Sequence, residues 1–131
     1  MHVDGGARGN PGPAAVGAVA SAPDGGVLLE RGEYIGEATN NVAEYRAVLL
    51  GAELARELGA REVEIVNDSE LVARQLGGQY KVKSAGLKPL FLEAKRALGG
   101  FDRWSVRTVL REGNVRADEL VNEALDEALR R

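Results

Sequence analysis

The sequence contains no cysteine and only one histidine, His2, among its 131 residues. Without cysteine the chain can form neither a disulfide nor a thiolate metal site, and a single histidine excludes any site that needs two imidazoles. Any metal ion bound by this chain must therefore be held by oxygen atoms. Oxygen ligands favour hard ions such as Mg²⁺, Mn²⁺ or Ca²⁺ over zinc and copper.

Long apolar runs are also absent, since none approaches the roughly 20 residues that span a bilayer. The chain opens Met1-His2-Val3-Asp4 and continues into glycines, which is not the pattern of a secretory signal. We therefore expect a cytoplasmic protein with no membrane partner. A basic excess is missing too: the formal charge of −3 is unlike that of many nucleic-acid binders. A local basic face can nevertheless coexist with an acidic total.

The composition that is present, 44% apolar and 28% charged, is typical of a globular protein. A length of 131 residues fits one domain with a substantial core, so we expect a single domain over residues 1–131. No repeat, low-complexity tract or interdomain linker interrupts it.

Hydrophobic periodicity predicts an α/β fold. Three short strands come first, one ending at Asp4 and the others at residues 16–20 and 27–35, with glycine-rich turns between them. Apolar residues at three- and four-residue spacing then predict a long helix from Asn41 to Gly59. Later strands at residues 63–66 and 104–110 alternate with helices at residues 69–76, 89–98 and 115–129. This order predicts a mixed sheet, an antiparallel meander extended by parallel strands, with helices on both faces.

Four acidic residues each have an ordinary structural explanation: Asp4, Glu44, Asp68 and Asp118. Asp4 precedes two glycines, and Asp before Gly is common in turns. Glu44 lies three residues after the predicted start of the long helix, where a carboxylate can satisfy free amides. Asp68 stands where an N-cap would stand, and Asp118 falls in the first turn of the last helix, where negative charge suits the helix dipole.

Separate structural roles do not predict that these four carboxylates lie close together. Asp4 is expected to end the first strand and Asp68 the strand beside it, so both lie at one edge of the sheet. The helix N-termini that carry Glu44 and Asp118 need only pack nearby to complete a cluster. Such a cluster would repel itself and raise some pKa values. Two divalent cations about 4 Å apart would remove the repulsion and could polarise a phosphodiester.

Four motifs then carry a resemblance to a known family. They are residues 4–13 (DGGARGNPGP), 39–45 (TNNVAEY), 66–72 (VNDSELV) and 114–120 (NVRADEL). In this order and spacing they resemble ribonuclease H of type 1 from end to end. The resemblance implies a ribonuclease H-like fold with a five-stranded mixed sheet and helices on both faces. It also implies an endoribonuclease that hydrolyses the RNA strand of RNA/DNA hybrids, leaving 5′-phosphate and 3′-hydroxyl ends.

At the acidic positions, the resemblance implies that the catalytic residues Asp4, Glu44, Asp68 and Asp118 hold two Mg²⁺ or Mn²⁺ ions, with Asp4 bridging both. The surrounding motif residues are expected to bind the hybrid, because glycines let backbone approach the sugar-phosphate chain and asparagine amides can reach hydroxyls and base edges. The substrate-binding candidates are Gly5, Gly6, Arg8, Asn10, Thr39, Asn40, Asn41, Ser69, Glu70 and Asn114. On structural grounds alone, residues 10–12 would be a turn and Asn41 a helix cap.

Three departures from the family pattern concern the substrate. Many relatives carry a histidine on the loop before the last aspartate, whereas this loop reads Arg111-Glu112-Gly113-Asn114. Glutamine is frequent at the position of Glu70. Some relatives have a long basic protrusion, for which residues 77–100 are too short. In that segment three lysines either contribute to binding or form a solvated surface run: Lys81, Lys83 and Lys88.

Two further hypotheses stay open. A non-catalytic module that binds RNA or hybrids would explain the missing histidine and the acidic Glu70, but it would gain nothing from carboxylates that repel phosphate. Alternatively, the chain is the nuclease part of a larger polypeptide. In the favoured interpretation the partner is an RNA/DNA hybrid duplex and the protein is a monomer.

Overall fold

A computed structural model describes residues 1–131 and contains five strands and four α-helices. The strands are β1 (His2–Ala7), β2 (Gly12–Ser21), β3 (Val27–Ala38), β4 (Glu62–Asn67) and β5 (Arg103–Thr108). The helices are α1 (Asn40–Glu57), α2 (Glu70–Leu76), α3 (Lys88–Gly99) and α4 (Val115–Leu129), and a 3-10 helix at Arg111–Asn114 leads into α4. None of the helices combines the length and the apolarity needed to cross a bilayer.

The five strands form one sheet in the order β3-β2-β1-β4-β5. β1, β2 and β3 pair antiparallel, while β4 lies parallel to both β1 and β5. The predicted mixed sheet, a meander extended by parallel strands, is therefore confirmed.

Helices cover both faces of the sheet, as the sequence predicted. Alternation along β2 divides its side chains: Val16 and Ala18 join the main core, which α1, α2 and α3 complete. Ala15 and Val19 lie in two small clusters with residues of α4 on the opposite face. The interior strand β2 is thus buried on both sides, and α4 packs apart from the other helices.

β1 continues three residues beyond Asp4, where the sequence predicted the strand to end. Gly5 pairs with Val16 and the next glycine with Ala15, so these glycines extend the antiparallel ladder instead of forming a turn. α1 crosses the strand at this point, and a Cβ on Gly5 would lie 2.1 Å from the Ala43 carbonyl oxygen. Asp4 therefore lies in the middle of β1 because pairing with β2 and packing against α1 override the local turn signal.

β1 and β4 pair over a short distance and then separate. Their register aligns His2 with Val66, and the Val66 N–H donates to the Met1 carbonyl oxygen at 2.8 Å. Just beyond, the Val3 carbonyl oxygen accepts from Asn114 Nδ2 at 2.8 Å. Because the strands are parallel and level at this register, Asp4 and the residue after β4 come side by side.

Candidate active site

Three of the four predicted carboxylates meet at this opening of the sheet. Ligand oxygens of Asp4, Glu44 and Asp68 all lie within 4.8 Å of one another. Asp4 comes from β1, Glu44 from the first turns of α1, and Asp68 from the junction of β4 and α2. The convergence that the sequence predicted is therefore present, although Asp4 reaches it from mid-strand.

Capping does not explain the positions of Glu44 and Asp68. The N-cap of α1 is Thr39, whose Oγ1 accepts from the Val42 N–H at 3.2 Å. The N-cap of α2 is Ser69, whose side chain accepts from the Val72 N–H. Both carboxylates are free for another role because a neighbouring hydroxyl performs the capping.

Electrostatics in the cluster favour protons or cations. Burial first, and then the neighbouring Asp68 and Asp118 carboxylates, raise the pKa of Asp4 to about 8. Burial, followed by the charges of Asp4 and Asp68, raises the pKa of Glu44 to about 9, although the Gly5 N–H opposes this shift. At neutral pH the fully ionised cluster is therefore unfavourable without compensating positive charge.

Asp118 approaches the same cluster from the other face of the sheet. It lies in the first turn of α4, as predicted, and its carboxylate is close enough to Asp4 to raise the Asp4 pKa. It falls outside the group of three whose oxygens are mutually within 4.8 Å. The four carboxylates thus form a compact trio with a fourth member at its edge.

The donor set fits divalent cations. All ligand atoms are carboxylate oxygens, the type that Mg²⁺ and Mn²⁺ prefer. The trio comes from three separate elements of the fold, and burial and mutual repulsion raise the pKa values of Asp4 and Glu44, which cations would counter. Bound cations would return both carboxyls to the ionised form.

A cleft of about 480 Å³ surrounds the carboxylates. Six of the ten substrate-binding candidates line it: Gly5, Gly6, Arg8, Asn40, Asn41 and Ser69. Three residues are linked at this side of the cleft, since the Ala7 N–H donates to Asn40 Oδ1 and the Asn40 N–H donates to Asn10 Oδ1. The glycine-rich segment and the start of α1 are therefore held together at one side of the cleft.

The other four candidates lie outside the cleft lining. Asn10 and Thr39 support it, through the bond to Asn40 and the α1 cap described above. Glu70 is exposed and pairs with Arg74 at 2.6 Å along α2. Asn114 is buried, and its amide holds the β1 backbone instead of facing the cleft.

Two polar side chains of the cleft were not among the sequence predictions, those of Arg111 and Asn122. Arg111 begins the loop in which many relatives carry a histidine. The sequence pattern indicates that the histidine is missing, but it gives no signal for the arginine. Asn122 lies four residues after Asp118, a spacing that places both on one helix face and could have identified it. The loop between α2 and α3 covers residues 77–87.

Comparison with known proteins places the chain in a family. Residues 2–124 match the family described as "Reverse transcriptase-like". Ribonuclease HI of Halobacterium salinarum is 47% identical over 127 residues, which are 97% of this chain and 64% of that protein. The bifunctional protein Rv2228c of Mycobacterium tuberculosis is 45% identical over 129 residues, which are 98% of this chain and 35% of that protein. The chain therefore spans about two thirds of one relative and one third of the other.

Solved structures agree with this assignment. RNase H1 from Halobacterium salinarum superposes with a TM-score of 0.94 at 47% identity, with 96% of both chains covered. LC11-RNase H1, solved in complex with an RNA/DNA hybrid, gives a TM-score of 0.93 at 46% identity, covering 98% of this chain and 96% of that one. The ribonuclease H-like fold implied by the motifs is confirmed. This chain belongs to the reverse transcriptase-like family and, within it, to the ribonuclease H proteins of type 1.

Proposed function

We propose that this chain is a metal-dependent endoribonuclease that hydrolyses the RNA strand of RNA/DNA hybrids. The observation that carries the proposal is the trio of Asp4, Glu44 and Asp68, whose oxygens lie within 4.8 Å at the floor of an open cleft. Family membership and the hybrid complex of LC11-RNase H1, at 46% identity, support the same activity and substrate. The mycobacterial relative, of which this chain spans 35%, supports the further proposal that such a unit also works within larger polypeptides.

In the proposed mechanism, Asp4, Glu44, Asp68 and Asp118 hold two Mg²⁺ or Mn²⁺ ions. Asp4 would contribute to the binding of both ions, because the charges of both Asp68 and Asp118 raise its pKa. When bound, the ions would polarise the scissile phosphodiester, promote ionisation of the attacking water and neutralise the departing oxygen. Water adds to phosphorus and the bond to the 3′-oxygen breaks, which leaves a 5′-phosphate and a 3′-hydroxyl.

The chain's own residues orient the substrate for this step. The backbone of Gly5 and Gly6 lines the cleft without side chains, so a sugar-phosphate strand can approach closely. The amides of Asn40 and Asn41 are placed to reach the 2′-hydroxyls and base edges that distinguish RNA. Arg111 contributes positive charge to a wall dominated by carboxylates. A guanidinium does not give up its proton, so its role is electrostatic and the 3′-oxygen takes its proton from solvent.

Cleavage of an end-labelled RNA/DNA hybrid tests the proposal. The wild-type protein is expected to cut the RNA strand only when Mg²⁺ or Mn²⁺ is present. Asp68→Asn keeps the side-chain volume but removes a charge from the trio, and it is expected to lower the cleavage rate at least about 100-fold while hybrid binding persists. Asp102→Asn, the same change at an exposed position outside the cleft, serves as the matched control.

The alternative is a non-catalytic hybrid-binding module, suggested by the missing histidine and by Glu70. Metal-independent binding without any cleavage by the wild-type protein would favour this alternative and refute the nuclease. The structure weakens the argument from Glu70, because this residue pairs with Arg74 outside the cleft. A cytoplasmic monomer consisting of one domain stays our prediction for the protein's state, and gel filtration with light scattering would test the monomer.

A further inference from the structure

Asp118 stands at the edge of the carboxylate cluster. It lies outside the compact trio and is only partly buried, whereas Asp4 is 6% exposed. An aspartate in this position has several rotamers available, and only some of them direct its oxygens toward the trio. The contacts that select its rotamer therefore influence whether the fourth ligand is in place.

Asn122 makes such a contact one helical turn later. Its Nδ2 donates to the Asp118 carbonyl oxygen at 3.1 Å and lies 3.5 Å from Asp118 Oδ2. At the other end of the amide, Asn122 Oδ1 accepts from Arg8 Nη2 at 3.3 Å. An amide has one donor end and one acceptor end, so the bond from Arg8 turns the donor end toward the Asp118 carboxylate.

Arg8 is itself fixed by Asp126. Its Nη2 lies 2.7 Å from Asp126 Oδ1, the shorter of its two contacts to α4. Asp118, Asn122 and Asp126 follow one another at four-residue spacing, so they form a row along one face of the helix. Arg8 comes directly after β1, the strand that carries Asp4. The row therefore connects the end of the Asp4 strand to the helix that carries Asp118.

We propose that Asn122 is a positioning residue that orients the Asp118 carboxylate toward the ion-binding trio, and that Arg8 holds Asn122 in the required orientation. The inference rests on the proposed nuclease function, in which Asp118 is a metal ligand. Carboxylate ligands of metal ions are commonly held by hydrogen bonds from neighbouring groups, and loss of such a partner weakens metal affinity or activity. The Nδ2 contact occupies one side of Oδ2 and leaves Oδ1 available as a ligand.

Asn122→Ala tests the proposal by removing the amide. We expect kcat on an RNA/DNA hybrid to fall at least about tenfold and the Mn²⁺ dissociation constant from calorimetry to rise by a similar factor. KM for the hybrid is expected to stay within about twofold, because the residue acts through Asp118 and not on the substrate. Arg116→Ala is the matched control: it removes ion pairs of α4 with Glu30 and Glu123 on a different face, and should leave kcat and Mn²⁺ affinity unchanged.

Asn122→Asp separates positioning from general support of the helix. Aspartate can still accept from Arg8, and this charged bond offsets the repulsion from Asp118 and Asp126, so the melting temperature should stay close to that of the wild type. It cannot donate to Asp118 and adds a like charge beside it, so kcat should fall. Wild-type kcat in Asn122→Asp, or wild-type kcat and Mn²⁺ affinity in Asn122→Ala, would overturn the proposal. An equal loss in Arg116→Ala would also overturn it.

Failure of the proposed function gives a different result. If the wild-type protein binds Mn²⁺ but cuts no hybrid, the nuclease proposal is refuted. The ratio of Mn²⁺ dissociation constants between Asn122→Ala and the wild type then decides the positioning role alone. A ratio near one would refute it, and a ratio near ten or above would support it.

Discussion

Replacing Gly5 with alanine is expected to weaken metal binding strongly and to lower the cleavage rate about 100-fold while leaving much of the fold intact. Gly5 lies where β1 passes under α1, between Asp4 on its own strand and Glu44 on the helix. A Cβ at this position would lie 2.1 Å from the Ala43 carbonyl oxygen, 2.3 Å from the Ala43 carbonyl carbon and 2.7 Å from the Glu44 nitrogen. All three are backbone atoms, so no side-chain rotation can relieve the contact.

The size of the effect follows from these distances. The strand and helix must separate by about 0.9 Å to bring the closest contact to 3.0 Å. Metal sites tolerate ligand displacements of only about 0.2 Å, so this movement takes Glu44 out of reach of ions held by Asp4. A misplacement of about 1 Å can cost roughly 100-fold in rate. Overpacking of this kind typically costs about 1–3 kcal/mol of stability.

Gly6 provides a matched control. A Cβ there would meet nothing nearer than Val121 Cγ1 at 3.7 Å, an ordinary contact. Gly6→Ala is therefore expected to change the free energy of unfolding by less than about 1 kcal/mol and to keep Mn²⁺ affinity. Both variants would be compared by calorimetry with Mn²⁺, by hybrid cleavage and by thermal unfolding without metal.

Equal Mn²⁺ affinity in the two variants would refute the reasoning. So would a Gly5→Ala protein that cleaves hybrid at the wild-type rate, because the backbone contact would then not set the distance between Asp4 and Glu44. A Gly5→Ala protein that fails to fold would show a larger strain than expected, and Gly5→Ser, which adds the same Cβ, should then fail as well.

Two further predictions concern pH and buried polarity. The raised pKa values of Asp4 and Glu44, about 8 and about 9, mean that the folded protein binds more protons than the unfolded chain above pH 4.5, so without metal its stability should fall as pH rises toward 9. Urea unfolding at pH 5 and pH 8 measures this slope, which Asp4→Asn should flatten. Saturating Mn²⁺ should largely remove it, because the ion-bound carboxyls are ionised in the folded protein as they are in the unfolded chain. Tyr45→Phe leaves the buried Gln75 Oε1, which accepts from the Tyr45 hydroxyl, without a donor and is expected to cost about 1–3 kcal/mol in urea unfolding. Tyr34→Phe, at an exposed position, should cost less than about 0.5 kcal/mol, and equal losses in the two variants would contradict the role of the buried bond.

Periodicity and motif spacing predicted the order and the type of every helix and strand, together with the four carboxylates. Periodicity succeeded because each element buries one face or both, and burial sets the pattern of apolar residues. The predicted end of β1 was wrong. The Asp-Gly-Gly turn signal is local, whereas pairing with β2 and packing against α1 are tertiary contacts that extend the strand. Local signals cannot report a partner that lies elsewhere in the chain.

Within the site, sequence spacing placed the carboxylates but not their surroundings. The caps were misassigned by one or two residues, since Thr39 and Ser69 take the places suggested for Asn41 and Asp68. Asn114 matched the motif as a contact for substrate, yet it is buried against the β1 backbone. The contact between Arg8 and Asn122 joins residues 114 positions apart, which no local pattern encodes.

Because α4 packs apart from the other helices, the complete set of four carboxylates forms only when α4 is docked on the sheet. α4 contacts the sheet through two apolar clusters of three buried residues each, whereas an 18-residue core holds the opposite face. Amide hydrogens of α4 should therefore exchange through an opening that leaves the main core folded. Each opening carries Asp118 away from the trio. Ions that require all four ligands would slow that exchange, so metal binding and docking of the last helix would behave as one linked equilibrium.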